Sequence, residues 1–277
     1  MFSWVSACFS IVAVAFVPLT ATAGVDDTDI AIFDALRQGE IIDVMRQEGI
    51  ESGRDIADAM FVPAVFSKWD QTLDEVYDTD RMTSLAVAKF SEALEDEDRE
   101  GILAFFASEP GATLIALEVS ARRAMLNDDV TEIALEQGRD MMAADTTRAD
   151  LIGAFITTND LIEMNVAGSL NSNLAFYTGL QDGGALPEDL TLDQLLADLL
   201  SQEGAIRTET TEWMFGYLSM AYQPVSDDDL AAYLAFSQSP SGQALNRALF
   251  AAYEDLFNDI SRVLGYEAAK IMLQAEL

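Results

Sequence analysis

Carboxylates dominate the chemistry open to this chain. It carries 48 Asp and Glu residues, no histidine and a single cysteine, Cys8. Without imidazole there is no Ser-His-Asp triad, no histidine general base and no ordinary zinc site. Lys68, Lys89 and Lys270 stand in no pattern that suggests a Schiff base. Glycine loops that cradle phosphate and the ligand spacing of a calcium-binding EF-hand are missing from the sequence. Paired carboxylates remain, and two of them flanking a glycosidic bond would supply acid and nucleophile. On that reading Glu163 or Glu209 is the acid of a hydrolase acting on envelope polysaccharide. Spacing selects no pair among so many acids, so no catalytic residue is assigned, and no metal or cofactor is expected.

The most informative stretch runs from Leu161 to Gln181, where Glu163 is the only charge in a chain that is 23% charged overall. Asn165, Ser169, Asn173 and Tyr177 fall at i, i+4, i+8 and i+12. On a helix they make one drifting stripe. Amides on a central helix need partners. They either line a groove for a polar ligand or bond to loops and helix ends as a structural network. A second constellation sets Arg207 beside Thr208, Thr211 and Trp213, with Tyr217 one turn further on. It suits a carboxylate or a sugar face, or else anchors one helix on another. The candidate groove is therefore Glu163, Asn165, Ser169, Asn173, Tyr177, Arg207 and Trp213. Glu118 and Arg122, at i and i+4, read as a local ion pair.

The elements that must position these residues are helical. Apolar residues recur at spacings of three and four, most clearly in Leu245, Leu249, Ala252, Leu256, Ile260 and Val263. Ser239 caps that helix, Pro240 fits its first position and Gly265 is its expected stop. Other helices are expected over about 29–47, 51–60, 64–77, 80–94, 128–143, 147–157, 159–179, 190–202 and 205–222. The fold class is all-α, a multi-helix array of antiparallel αα-hairpins with two related halves. The halves are suggested by an echo: LAFFASEPGATL at 103–114 and LAFSQSPSGQAL at 234–245. Phe105, Ser108 and Gly111 match Phe236, Ser239 and Gly242, with repeated hairpins expected at 96–126 and 226–264. Residues Asp96, Glu97 and Asp98 open the first and Asp227, Asp228 and Asp229 the second, where a helix dipole favours negative charge. The repeated element reads as a structural corner.

The first 23 residues are expected to be a cleaved signal peptide: an apolar stretch too short to span a bilayer, then Ala21-Thr22-Ala23. Cleavage leaves residues 24–277 as a single all-helical domain without cysteine, exported to the periplasm. The net charge of −33 argues against nucleic acid and anionic lipid and leaves room for a cationic or envelope partner. No stable membrane insertion is expected after cleavage.

With Phe236, Ser239, Pro240 and Gly242 preceded by a short acid-capped helix, the chain resembles the bacterial exported family called domain of unknown function 2059. Its motif reads approximately Phe-Tyr-x-Ser-Pro-x-Gly; Ser237 stands at the Tyr position, and the first copy places its proline at 110. The resemblance implies export and an all-helical fold, and carries no activity, substrate or catalytic residue. From the sequence, then, the protein is a non-enzymatic periplasmic binding or interaction module; the hydrolase is the alternative.

Overall fold

Side-chain caps written in the sequence set most helix starts in the computed structural model, which describes residues 25–94, 99–187 and 190–275. The expected leader and the acidic opener at 96–98 lie outside those residues. Asp26 caps α1 (Asp27–Ala35), accepting from the Thr28 amide at 2.7 Å. After α2 (Gln38–Met60), the 3-10 turn Pro63–Val65 and α3 (Phe66–Val76), Asp78 caps α4 (Thr79–Ala93). α5 (Arg99–Ala107) turns through 76° at Ser108, which caps α6 (Glu109–Ala124). Asn127 and Thr146 cap α7 (Asp128–Ala143) and α8 (Thr147–Thr158). α9 spans Leu161–Asp182, and Thr191 with Gln194 makes a complete capping box for α10 (Leu192–Ala221). Ser226 caps α11 (Asp227–Ser237), and α12 (Pro240–Ala275) closes the chain. There is no strand among the described residues, and no single helix among them is long and apolar enough to cross a membrane.

Three boundaries differ from expectation, two of them because a tertiary contact outweighs local propensity. The break expected near residue 48 falls instead at Arg37, which adopts φ 52°. α2 runs unbroken through Gly49, where a Cβ would lie 2.2 Å from the Tyr77 ring. The helices expected at 190–202 and 205–222 are one, α10. Gly265 does not stop α12 either, because it is where α12 crosses α9. A Cβ on Gly265 would lie 2.0 Å from the Phe176 carbonyl oxygen, and one on Gly179 would lie 2.1 Å from that of Arg262. Only glycine admits this backbone-to-backbone approach.

α12 packs along α9 and against α4, while α10 packs along α7 and against α9. The core is one continuous apolar cluster, with Trp69, Phe90, Phe106, Leu114 and Ile152 almost fully buried. Each helix leaves carbonyls without intrahelical partners at its C-terminus, and long polar side chains take them up. Arg148 donates to the Tyr222 and Val225 carbonyls at 2.8 and 2.6 Å, and Arg46 to that of Tyr77 at 2.7 Å. Gln243 of α12 donates to both Thr158 and Ser237, tying the ends of α8 and α11 to the same helix. The fully buried carboxylate Asp29 is held by Arg99 at 2.6 Å and Ser91 at 2.5 Å, joining α1, α4 and α5.

The doubled sequence element forms two corners of matching build. Ser108 Oγ donates to the Phe105 carbonyl at 2.5 Å, and Ser239 Oγ to that of Phe236 at 2.6 Å. In return each serine accepts from the amide three residues on, Gly111 and Gly242 respectively. The corners also meet: the Phe105 and Phe236 rings stack at 4.2 Å with an interplanar angle of 11°.

Candidate functional site

α9 reaches the middle of the molecule from a strained junction. Asp160 sits at φ 50° between α8 and α9, a conformation aspartate tolerates better than most residues. The neighbouring Asn159 is buried; its carbonyl accepts from Asn246 of α12 at 2.9 Å. The other left-handed junction, at Arg37, is held from α12 as well, where Tyr253 donates to the Gln38 side chain. α12 therefore fixes the entry of both α2 and α9.

Between these helices lies a cavity of about 650 Å³, walled by α2, α6, α9, α10, α11 and α12. Its surface is mostly apolar, with Ile115, Met164, Leu245, Leu249 and Phe257 among the contributors. Three polar features interrupt it. The first is the α9 stripe, where Asn165, Ser169 and Asn173 all face the cavity. Asn165 donates back to the Leu161 carbonyl at 2.6 Å. Part of the expected structural network falls to other residues of the helix: Asn171 donates to Glu254 at 2.7 Å, and Ser172 reaches Asn258 at 3.4 Å.

The second feature is Arg122, whose guanidinium donates to both carboxylate oxygens of Glu48, at 2.9 and 2.7 Å. It also lies 4.7 Å from the centroid of the Trp213 ring, which stacks on Tyr217. The local pair expected between Glu118 and Arg122 is therefore not formed, because a bidentate partner and an aromatic face outcompete an i,i+4 neighbour.

The third feature is Glu118 itself, a half-buried residue of α6 that lines the cavity. Tyr222 donates to its carboxylate at 2.7 Å, and Tyr233 also hydrogen-bonds it. Tyr217 donates to its backbone carbonyl at 3.2 Å. No ion pair involves Glu118 among the described residues. Burial pushes its pKa up to about 7 from 4.5, against the opposing pull of the two tyrosine hydroxyls. Burial, reinforced by the adjacent carboxylate, likewise holds the Tyr217, Tyr222 and Tyr233 phenols well above their ordinary range.

Of the seven residues expected to form a groove, the structure brings Asn165, Ser169, Asn173 and Trp213 to one cavity. Glu163, Tyr177 and Arg207 do not line it. Glu163 is solvent-exposed and pairs with Arg207, which also holds Glu203 at 2.7 Å. Tyr177 is carried off the face by helix geometry, since each i+4 step advances about 40° beyond a full turn. Three steps after Asn165 it packs beside Phe176 instead. Glu209 is exposed and away from the cavity wall. Sequence reasoning missed Glu118, Tyr222 and Tyr233. A signal for Glu118 existed: Leu114, Ile115, Glu118 and Val119 share one helical face, so a lone acid sits on an otherwise apolar stripe. At the corners, Phe236 and Gly242 also border the cavity, while Phe105, Ser108, Gly111, Ser239 and Pro240 do not.

Compared with protein-family models, with curated proteins and with solved structures, the chain matches none.

Proposed function

We propose that the protein is a non-enzymatic binding module, exported to the periplasm, that takes a small amphipathic molecule into its central cavity. The observation that carries this reading is the cavity: about 650 Å³, mostly apolar, with a neutral polar stripe along α9 and one carboxyl at depth. Volume and lining fall in the range of small-molecule sites, where apolar walls supply affinity and a few polar groups orient the ligand. Kinship with the exported family of unknown function is proposed with it, on Phe236, Ser239, Pro240 and Gly242. A cationic or envelope-derived partner fits the acidic surface, with its net charge of −33.

The test is titration of the purified protein with N-phenyl-1-naphthylamine, a neutral fluorophore that brightens in apolar sites. Saturable brightening is expected with wild type, and its loss in Leu249→Trp, which fills the cavity from α12. Absence of saturable binding, or equal binding by a cooperatively folded Leu249→Trp variant, would sink the reading.

A carboxylate-dependent hydrolase is the second reading, favoured by the near-neutral pKa of Glu118. Its acid would then be Glu118 rather than Glu163 or Glu209, with Glu254 the other carboxylate on the cavity wall. Turnover of an envelope glycan by wild type, lost in Glu118→Gln, would establish it; no turnover across a glycan panel dismisses it.

A further inference from the structure

The deep end of the cavity has an acid without a counter-charge. Glu118 receives two phenol hydroxyls, and no lysine or arginine pairs with it among the described residues. Tyr217 from α10 and Tyr233 from α11 touch it, and Phe106 from α5 and Phe155 from α8 pack on Tyr233 and line the same cavity. Aromatic faces carry partial negative charge and attract cations, most strongly where water is excluded. An anionic head group finds nothing comparable. Arg122, the one cation on the wall, holds Glu48 through Nε and Nη2 and lies over the Trp213 ring, so its charge is already countered by a carboxylate and an aromatic face. At long range the strongly negative chain concentrates cations and repels anions.

We propose that the ligand is an amphipathic organic cation, its ammonium head seated against Glu118 and the surrounding aromatic rings, its apolar body lying along α12. The inference rests on the binding reading above and names the ligand class for that same site. The body has its own wall in Leu245, Leu249 and Phe257, while the α9 amides face whatever polar groups lie between. A bound ammonium also ionises Glu118, because an adjacent positive charge favours the carboxylate. Of the other titratable groups near it, Tyr217, Tyr222 and Tyr233 titrate far higher, Arg122 is paired with Glu48, and Glu254 accepts from Asn171.

Three probes of one chain length separate the possibilities: decyltrimethylammonium, 1-decanol and decanoate, each titrated calorimetrically below its aggregation threshold. The cation is expected to bind at least about tenfold more tightly than either of the others. Glu118→Gln keeps the side-chain shape and should erase the preference for the cation over decanol. In wild type, cation affinity should rise from about pH 6 to about pH 8 while decanol affinity stays flat. This arm holds even if the variant folds poorly. Equal affinity for the three heads, or a preference for decanoate, overturns the cation assignment and leaves the binding reading standing. Failure of all three probes to bind overturns both.

Discussion

Two glutamates of this protein, Glu118 and Glu163, each lie close in sequence or space to an arginine, and they end in opposite circumstances. Glu163 stands at the solvent face of α9, where Arg207 of α10 reaches across to it. Water and salt screen that pair, and such exposed bridges contribute little. Glu118 has an arginine one turn away, yet that arginine turns to Glu48 and leaves it to phenol hydroxyls on the wall of a mostly apolar cavity. In a chain with 48 acids, formal charge says almost nothing about chemistry. What gives a carboxyl a usable proton is burial without a cation.

The largest effect that would sharpen the contrast is in the pH dependence of stability. Glu118 has a folded-state pKa raised to about 7 from 4.5, so the folded state holds a proton that the unfolded chain releases. Its contribution to stability is therefore greatest below about pH 4.5 and declines as pH rises to about 7, by up to about 3 kcal/mol. Urea unfolding of wild type and Glu118→Gln, at about pH 5 and about pH 8, should show the variant gaining relative stability by that order. Parallel curves would erase the distinction between the two acids. Next is Tyr222→Phe, which removes a donor from a buried acceptor and should cost about 2 kcal/mol. It should also move the Glu118 titration upward, measurable by carboxyl carbon NMR, because the lost hydrogen bond favours the ionised form.

Arg122→Gln comes third, at about 1–2 kcal/mol, through loss of its charge-assisted bonds to Glu48. It should barely move the Glu118 titration, since the arginine is not among the groups that shift it. A large displacement would mean the two residues are coupled after all. Smallest is Glu163→Gln, expected to change stability by less than about 0.5 kcal/mol, with any effect fading as salt is added. A larger loss would make the exposed pair more than a surface contact.

Much of the scaffold was legible because caps and apolar periods are local signals. Asp78, Ser108, Asn127, Thr146 and Ser226 all start helices as their types suggest. The misread boundaries, at Gly49, Gly204 and Gly265, are glycines that look like breaks in sequence. Gly49 and Gly265 lie against distant segments, and Gly204 passes inside α10 with open space around it. The site divides the same way. Asn165, Ser169 and Asn173 were found because a helical stripe is visible within one segment. Tyr222 and Tyr233 were not, since each reaches Glu118 from more than a hundred residues away. Arg122 misled for the same reason: its partner Glu48 lies 74 residues off, and the neighbour rule cannot see it.

The crossing at Gly179 and Gly265 has a mechanical consequence for the cavity. With backbones touching at Gly179 and Gly265, α9 and α12 are joined at one end. Asn246 on Asn159 joins them again at the other, and Asn171–Glu254 and Ser172–Asn258 lie between. Pinned at both ends, the two helices hold one side of the cavity as a single rigid wall, so a ligand must be accommodated by the remaining helices.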